Sequence, residues 1–185
     1  DQTVSVTTTD DDVAGFTIVE SDGSTEVAES GTTDTFTVVL DAQPTSDVVL
    51  TVSSNDTGET TTTGTLTFSP VNWDTPQTIT ITGVDDDIID GSVTSTITIS
   101  VVDASSNDNF DAVADETVSV TTTDDDVAGF TIVESNGSTE VAESGTTDTF
   151  TVVLDAEPAS DVVISISSDD TGEATLNGPL TFTSA

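Results

Sequence analysis

Apolar and polar residues alternate along this chain in short runs, with Gly, Pro, Asn, Asp and Ser between them. Phe16 and Ile18 form the first run; Phe36, Val38 and Leu40 the second; Val48, Leu50 and Val52 the third. Leu66 and Phe68, Ile79 and Ile81, then Ile97, Ile99 and Val101 follow, and Val118 and Val120 close the series. A period of two puts one face of each run against a core and the other in water, which is the signature of a half-buried β-strand. No segment keeps a helical period over three turns. Seven or so short strands at this spacing predict an all-β chain, folded as an antiparallel β-sandwich of immunoglobulin-like build. Phe16, Phe36, Val38, Leu50, Phe68, Ile81, Ile97, Ile99 and Val120 are the expected inward set, since a slip of one residue would expose all of them together. Most outward positions are Thr, whose branched side chain suits a pleated surface.

The pattern also repeats on a longer scale. Residues 115 to 185 restate residues 1 to 71 at an offset of 114, with 56 of the 71 positions identical. Solenoid repeats run to roughly 20–50 residues, so this period describes a tandem array of whole domains. The expected division is residues 1–12 as the closing strand of a preceding repeat, 13–126 as a complete β-sandwich repeat, and 127–185 as the N-terminal part of the next. The chain then reads as a window on a longer array. Only Asp124-Asp125-Asp126 separates the strand ending at Thr123 from the next module, and so short a junction predicts modules that abut.

Charge narrows the function. The chain has 36 Asp and Glu and no Lys, Arg or His. Without cations it cannot neutralise nucleic-acid phosphate or dock on anionic lipid, so neither is an expected partner. No apolar run approaches the ~20 residues of a membrane-spanning helix. No signal peptide is visible in the window. Acidity alone would suggest disorder, but the ordered alternation and a module of 114 residues are enough for a core. Cysteine is absent, so stability must come from packing and metal. Only carboxylates remain for acid–base chemistry, and no insertion interrupts the strands to form a pocket; an enzyme is not expected.

Acids cluster at a few places. Glu29 lies in Val27-Ala-Glu-Ser-Gly; Asp85-Asp86-Asp87 and Asp90 lie between two strands; Asp124-Asp125-Asp126 follows the last strand. Asp56, and Glu143 as the second copy's counterpart of Glu29, are weaker candidates. Two carboxylates about 5 Å apart repel by about 1 kcal/mol in water and by more where shielded, so a cation is the simplest remedy. Loops rich in Asp supply the 6–8 oxygen ligands that Ca²⁺ takes. Solvated turns are the plainer account of the same residues. An EF-hand is excluded, because Ile89, Asp90 and Thr96 stand at its fifth, sixth and twelfth positions counted from Asp85.

Residues 84 to 99, Val-Asp-Asp-Asp-Ile-Ile-Asp-Gly-Ser-Val-Thr-Ser-Thr-Ile-Thr-Ile, resemble the Calx-beta signature. Val118-Ser-Val-Thr-Thr-Thr-Asp-Asp-Asp resembles that family's closing strand, and Val27-Ala-Glu29-Ser-Gly its early glutamate. Residues 66 to 81 are similar to a stretch common in giant repetitive surface proteins of bacteria. The resemblance implies tandem Calx-beta-like sandwiches that bind Ca²⁺ at the end meeting the next module. Carried over by position, it implies Glu29, Asp85, Asp86, Asp87, Asp124, Asp125 and Asp126 as ligands, with Asp56 and Asp90 weaker. Gly91-Ser-Val-Thr lacks the second acid often found after the loop, and the segment from Ala14 to Thr25 lengthens the module. Trp73, beside Pro76, reads as a plug at a sandwich edge rather than a sugar platform. The sequons Asn55-Asp-Thr57 and Asn136-Gly-Ser138 face Asp169 and Asp22 in the other copy, so neither site is kept.

The expected function is the structural repeat region of an extracellular surface protein. It would be an adhesin stalk or a filament, sheath or surface-layer polymer, with calcium stiffening the junctions. Its partners would be neighbouring repeats and identical chains. The alternative is a calcium-dependent module binding glycan or matrix.

Overall fold

The computed structural model describes residues 1–184 and divides into two compact units. The first comprises residues 1–85 and 92–123, and the second residues 86–91 and 124–185.

The first unit holds nine strands: β1 (Phe16–Glu20), β2 (Thr25–Ala28), β3 (Thr33–Leu40), β4 (Val48–Ser54), β5 (Thr60–Thr62), β6 (Thr65–Phe68), β7 (Gln77–Gly83), β8 (Val93–Val101) and β9 (Glu116–Thr123). They form a four-stranded sheet, β1-β3-β7-β5, and a five-stranded sheet, β2-β9-β8-β4-β6. Phe36, Val38, Ile79 and Ile81 from the first sheet and Val48, Leu50, Phe68, Ile97, Ile99 and Val120 from the second share one core, each at most 1% exposed. The whole expected inward set is buried, with Phe16 the most exposed at 7%. This is the β-sandwich that the alternation predicts: each strand is amphipathic with a period of two, so two sheets must bury their apolar faces against each other. Helical structure in this unit is limited to two short 3₁₀ turns, Asp103–Ser105 and Asp108–Phe110, the second of which delivers Phe110 to the core.

Two strands exceed the expected seven, and one pairing differs in sense. β2 reads Thr-Glu-Val-Ala and buries Thr25 with Val27, and β5 is all Thr, so neither shows apolar alternation. β2 pairs with β9 in parallel, Thr25 opposite Val120 through Ala28 opposite Thr123, whereas every other pairing of named strands is antiparallel. Parallel pairing follows from connectivity: β2 and β9 are far apart in the chain and run the same way along the sandwich. Gly83 makes the closing of this end possible, since a Cβ there would lie 2.1 Å from the Ala28 carbonyl oxygen.

Residues 1–12 form no strand and are exposed, although they nearly repeat the sequence that makes β9. The difference is pairing: β9 has β8 on one side and β2 on the other. The second unit has β10 (Phe130–Glu134) with β11 (Phe150–Leu154), and β12 (Val162–Ile164) with β13 (Leu180–Phe182), both antiparallel. The register of β10 on β11 repeats that of β1 on β3, with Phe130 opposite Leu154 as Phe16 is opposite Leu40.

Candidate metal centre

Strand directions put the acids of the first unit at one end. β2, β7 and β9 run toward that end and finish there, and β5 starts from it, so Glu29, Glu59 and Asp85 are brought to the same rim. Backbone hydrogen bonds stitch it together. The Glu29 N–H donates to the Thr123 carbonyl at 3.1 Å, the Val84 N–H to the Glu59 carbonyl at 2.9 Å, and the Gly83 N–H to the Thr32 carbonyl at 3.0 Å.

Glu29 is 1% exposed and Glu59 is 7% exposed. Around them the core turns polar: Thr25, Thr60, Ser95 and Thr122 are all buried. The Thr60 hydroxyl lies 2.9 Å from those of both Ser95 and Ser54. Ionised carboxylates lose several kcal/mol of hydration on burial, a cost that hydrogen bonds, an opposite charge or a proton offset. With no Lys, Arg or His in the chain, no cationic side chain can supply an opposite charge, and a bound cation can. The donors at this rim are all oxygens, the hard set that suits calcium.

Asp85 is exposed, and Asp56 accepts the Gly58 N–H at 3.1 Å in an exposed turn of the same end. Asp86 and Asp124 follow directly in sequence from Asp85 and Thr123, and both belong to the second unit. Within that unit the loop of residues 86–91 is tied to the acidic linker, because the Gly91 N–H donates to Asp124 Oδ2 at 2.8 Å. Asp124 Oδ1 accepts the Asp126 N–H at 2.7 Å, and Asp86 Oδ1 accepts the Ile88 N–H at 2.7 Å. One carboxylate oxygen of Asp86 and one of Asp126 lie within 4.8 Å of each other. The Asp87 carbonyl accepts the Glu157 N–H. The side chains of Asp87, Asp90 and Asp125 are exposed, and so is Glu143, beside residues 139–142, which form no strand. Trp73 is half-buried against the core near Leu40, whose N–H donates to the Trp73 carbonyl at 3.2 Å.

Glu59 is the buried acid that the sequence reading passes over. It sits in Gly58-Glu-Thr-Thr-Thr, where no apolar alternation marks which positions turn inward. Asp34 is a different kind of acid. It accepts the Ser21 hydroxyl at 2.6 Å, the Glu26 N–H at 2.9 Å and the Thr35 N–H at 2.6 Å, and these bonds hold its carboxyl below the usual range. Asp148 repeats the arrangement with Ser135, Glu140 and Thr149 and is lowered for the same reason. At the opposite end of the sandwich, desolvation and then the charges of Asp103 and Asp108 push Asp111 upward.

No family model and no curated protein matches the sequence. Among solved structures, the chain is similar to the apo form of the Calx CBD1 domain at a TM-score of 0.42 and 18% identity, covering 60% of this chain and 98% of that one. It is similar to CBD12 from CALX1.2 at 0.42 and 21% identity, covering 90% and 69%. It is also similar to domains 1–6 of the surface layer protein SbsC at 0.42 and 18% identity, covering 98% of this chain and 23% of that one.

Proposed function

We propose that this chain is a stretch of the structural repeat region of an extracellular surface protein, and that calcium binds where one module hands over to the next. The observation that carries the proposal is the burial of Glu29 and Glu59 at the end of the sandwich from which the chain departs, in a sequence without a cationic side chain. Calcium would supply the missing positive charge. Glu29 and Glu59 would serve as ligands in the first unit, and the aspartates that follow directly in sequence, Asp85–Asp87 and Asp124–Asp126, would be further candidate ligands. Calcium held at each repeat would restrict bending along the array, and so lengthen and stiffen a stalk or filament. The uniform negative charge would keep identical repeats from pairing edge to edge.

Extracellular modules bind Ca²⁺ with Kd of about 10⁻⁴–10⁻³ M. Calorimetric titration of the chelated chain with CaCl₂ should show saturable binding in that range. It should be weakened in Glu29→Gln and in Asp86→Asn, and unaffected in Asp41→Asn at the far end. Absence of saturable heat, or equal binding by all the variants, would remove calcium from the reading.

A further inference from the structure

We infer that the module carries a clamp against tension along the chain, formed by the parallel pairing of β2 with β9. The strand directions lead to it. β1 runs antiparallel to β3, so Gly15 and Asp41 mark the end at which the chain enters the sandwich. β2 leads into the start of β3 at the opposite end, and β9, parallel to β2, leaves there after Thr123. In a tandem array a pull reaches the module through these two points. The pull is taken first by β1 on β3 and, once β1 slips, drives β2 toward the entry end and β9 toward the exit end, along their own axes and in opposite senses. The four paired positions from Thr25–Val120 to Ala28–Thr123 are then loaded together in shear. An antiparallel hairpin pulled from its two open ends would instead unzip rung by rung.

Other contacts extend the ladder and hold it. The Glu29 N–H donates to the Thr123 carbonyl at 3.1 Å, and the Thr123 hydroxyl to the Val27 carbonyl at 3.4 Å. The outward-facing amides of β2 are fixed as well: Glu26 N–H donates to Asp34 at 2.9 Å and Ala28 N–H to the Thr32 hydroxyl at 2.7 Å. β2 is thereby anchored to the start of β3 on one side while it grips β9 on the other, and Thr25 and Val27 bury their side chains beneath it. A strand of four residues at a sheet edge would fray if it only covered the core; these bonds make it a brace. The clamp consists of protein hydrogen bonds and does not depend on the calcium reading.

Forced unfolding reports the barrier that the load must cross. Because the chain has no cysteine, handles can be placed at will. Val13→Cys with Val127→Cys pulls through the entry and exit, and Val13→Cys with Val71→Cys pulls from two points at the entry end; all three positions are highly exposed. The full chain is stretched in chelating buffer, so that a failure of the calcium reading leaves this test intact. The expected result is a high-force peak for the first geometry and its loss in the second. Val27→Pro, which removes a ladder amide, should abolish the peak of the first geometry. Leu66→Ala, in the edge strand β6, should lower the melting temperature and keep the peak. Equal forces in the two geometries would overturn the clamp, whether or not Val27→Pro folds; so would an undiminished peak in folded Val27→Pro.

Discussion

Glu29 and Asp34 lie five residues apart in sequence and show two ways in which this chain handles an acid. Asp34 keeps its charge because one hydroxyl and two amides bind it, so its folded pKa is depressed. The sign follows: the stability it contributes is present above the unfolded value near 3.8 and is lost as pH falls through the lower folded value. Asp34→Ala should cost on the order of 1–3 kcal/mol at neutral pH, the range for hydrogen bonds to a charged group. The loss should shrink as pH falls below about 3.8 and through the lowered folded value, where the wild-type carboxyl takes up its proton; chemical denaturation at pH 7 and at successively lower pH measures it. Glu29 is buried at the exit end of the sandwich, where a bound cation would stabilise its charge. The sequence places Glu29 through a resemblance, but Glu59 was not legible, since an acid in a Thr-rich run looks solvated until β5 turns it inward.

At the scale of elements, the longer strands were legible because period-two alternation has only one register that buries Phe36, Val38, Ile97 and Ile99 together. β2 and β5 were not, because Thr25 takes an inward place in one, the other is all Thr, and their pairing partners are distant in the chain. The parallel sense of β2 on β9 was illegible for the same reason. The hydroxyls of Ser54, Thr60 and Ser95 link β4 and β8 of one sheet to β5 of the other. Thr60→Val keeps the shape and strips this bridge, leaving the buried Ser95 hydroxyl short of a partner, while Ser54 keeps its bonds to Asp56. It should destabilise the chain by about 1–3 kcal/mol, the cost of leaving buried polar groups unsatisfied. Thr61→Val, whose side chain is exposed, should change stability by less than about 0.5 kcal/mol.

For the whole molecule, the 114-residue period, the lack of any cation and the buried acids at the exit end belong to one account. An array that cannot neutralise itself depends on its medium for charge, and calcium would be both a stabiliser and a stiffener. At ten times Kd each site that binds only the native state adds about 1.4 kcal/mol by mass action. Chelation should therefore increase the flexibility seen by small-angle scattering of the chain, at constant ionic strength. The most direct test is the melting temperature of the wild type and of Glu29→Gln, each with calcium and with chelator. The account predicts that calcium raises the melting temperature of the wild type by more than that of the variant. A wild-type melting temperature that calcium does not move, with Glu29→Gln shifted equally in both buffers, would contradict it.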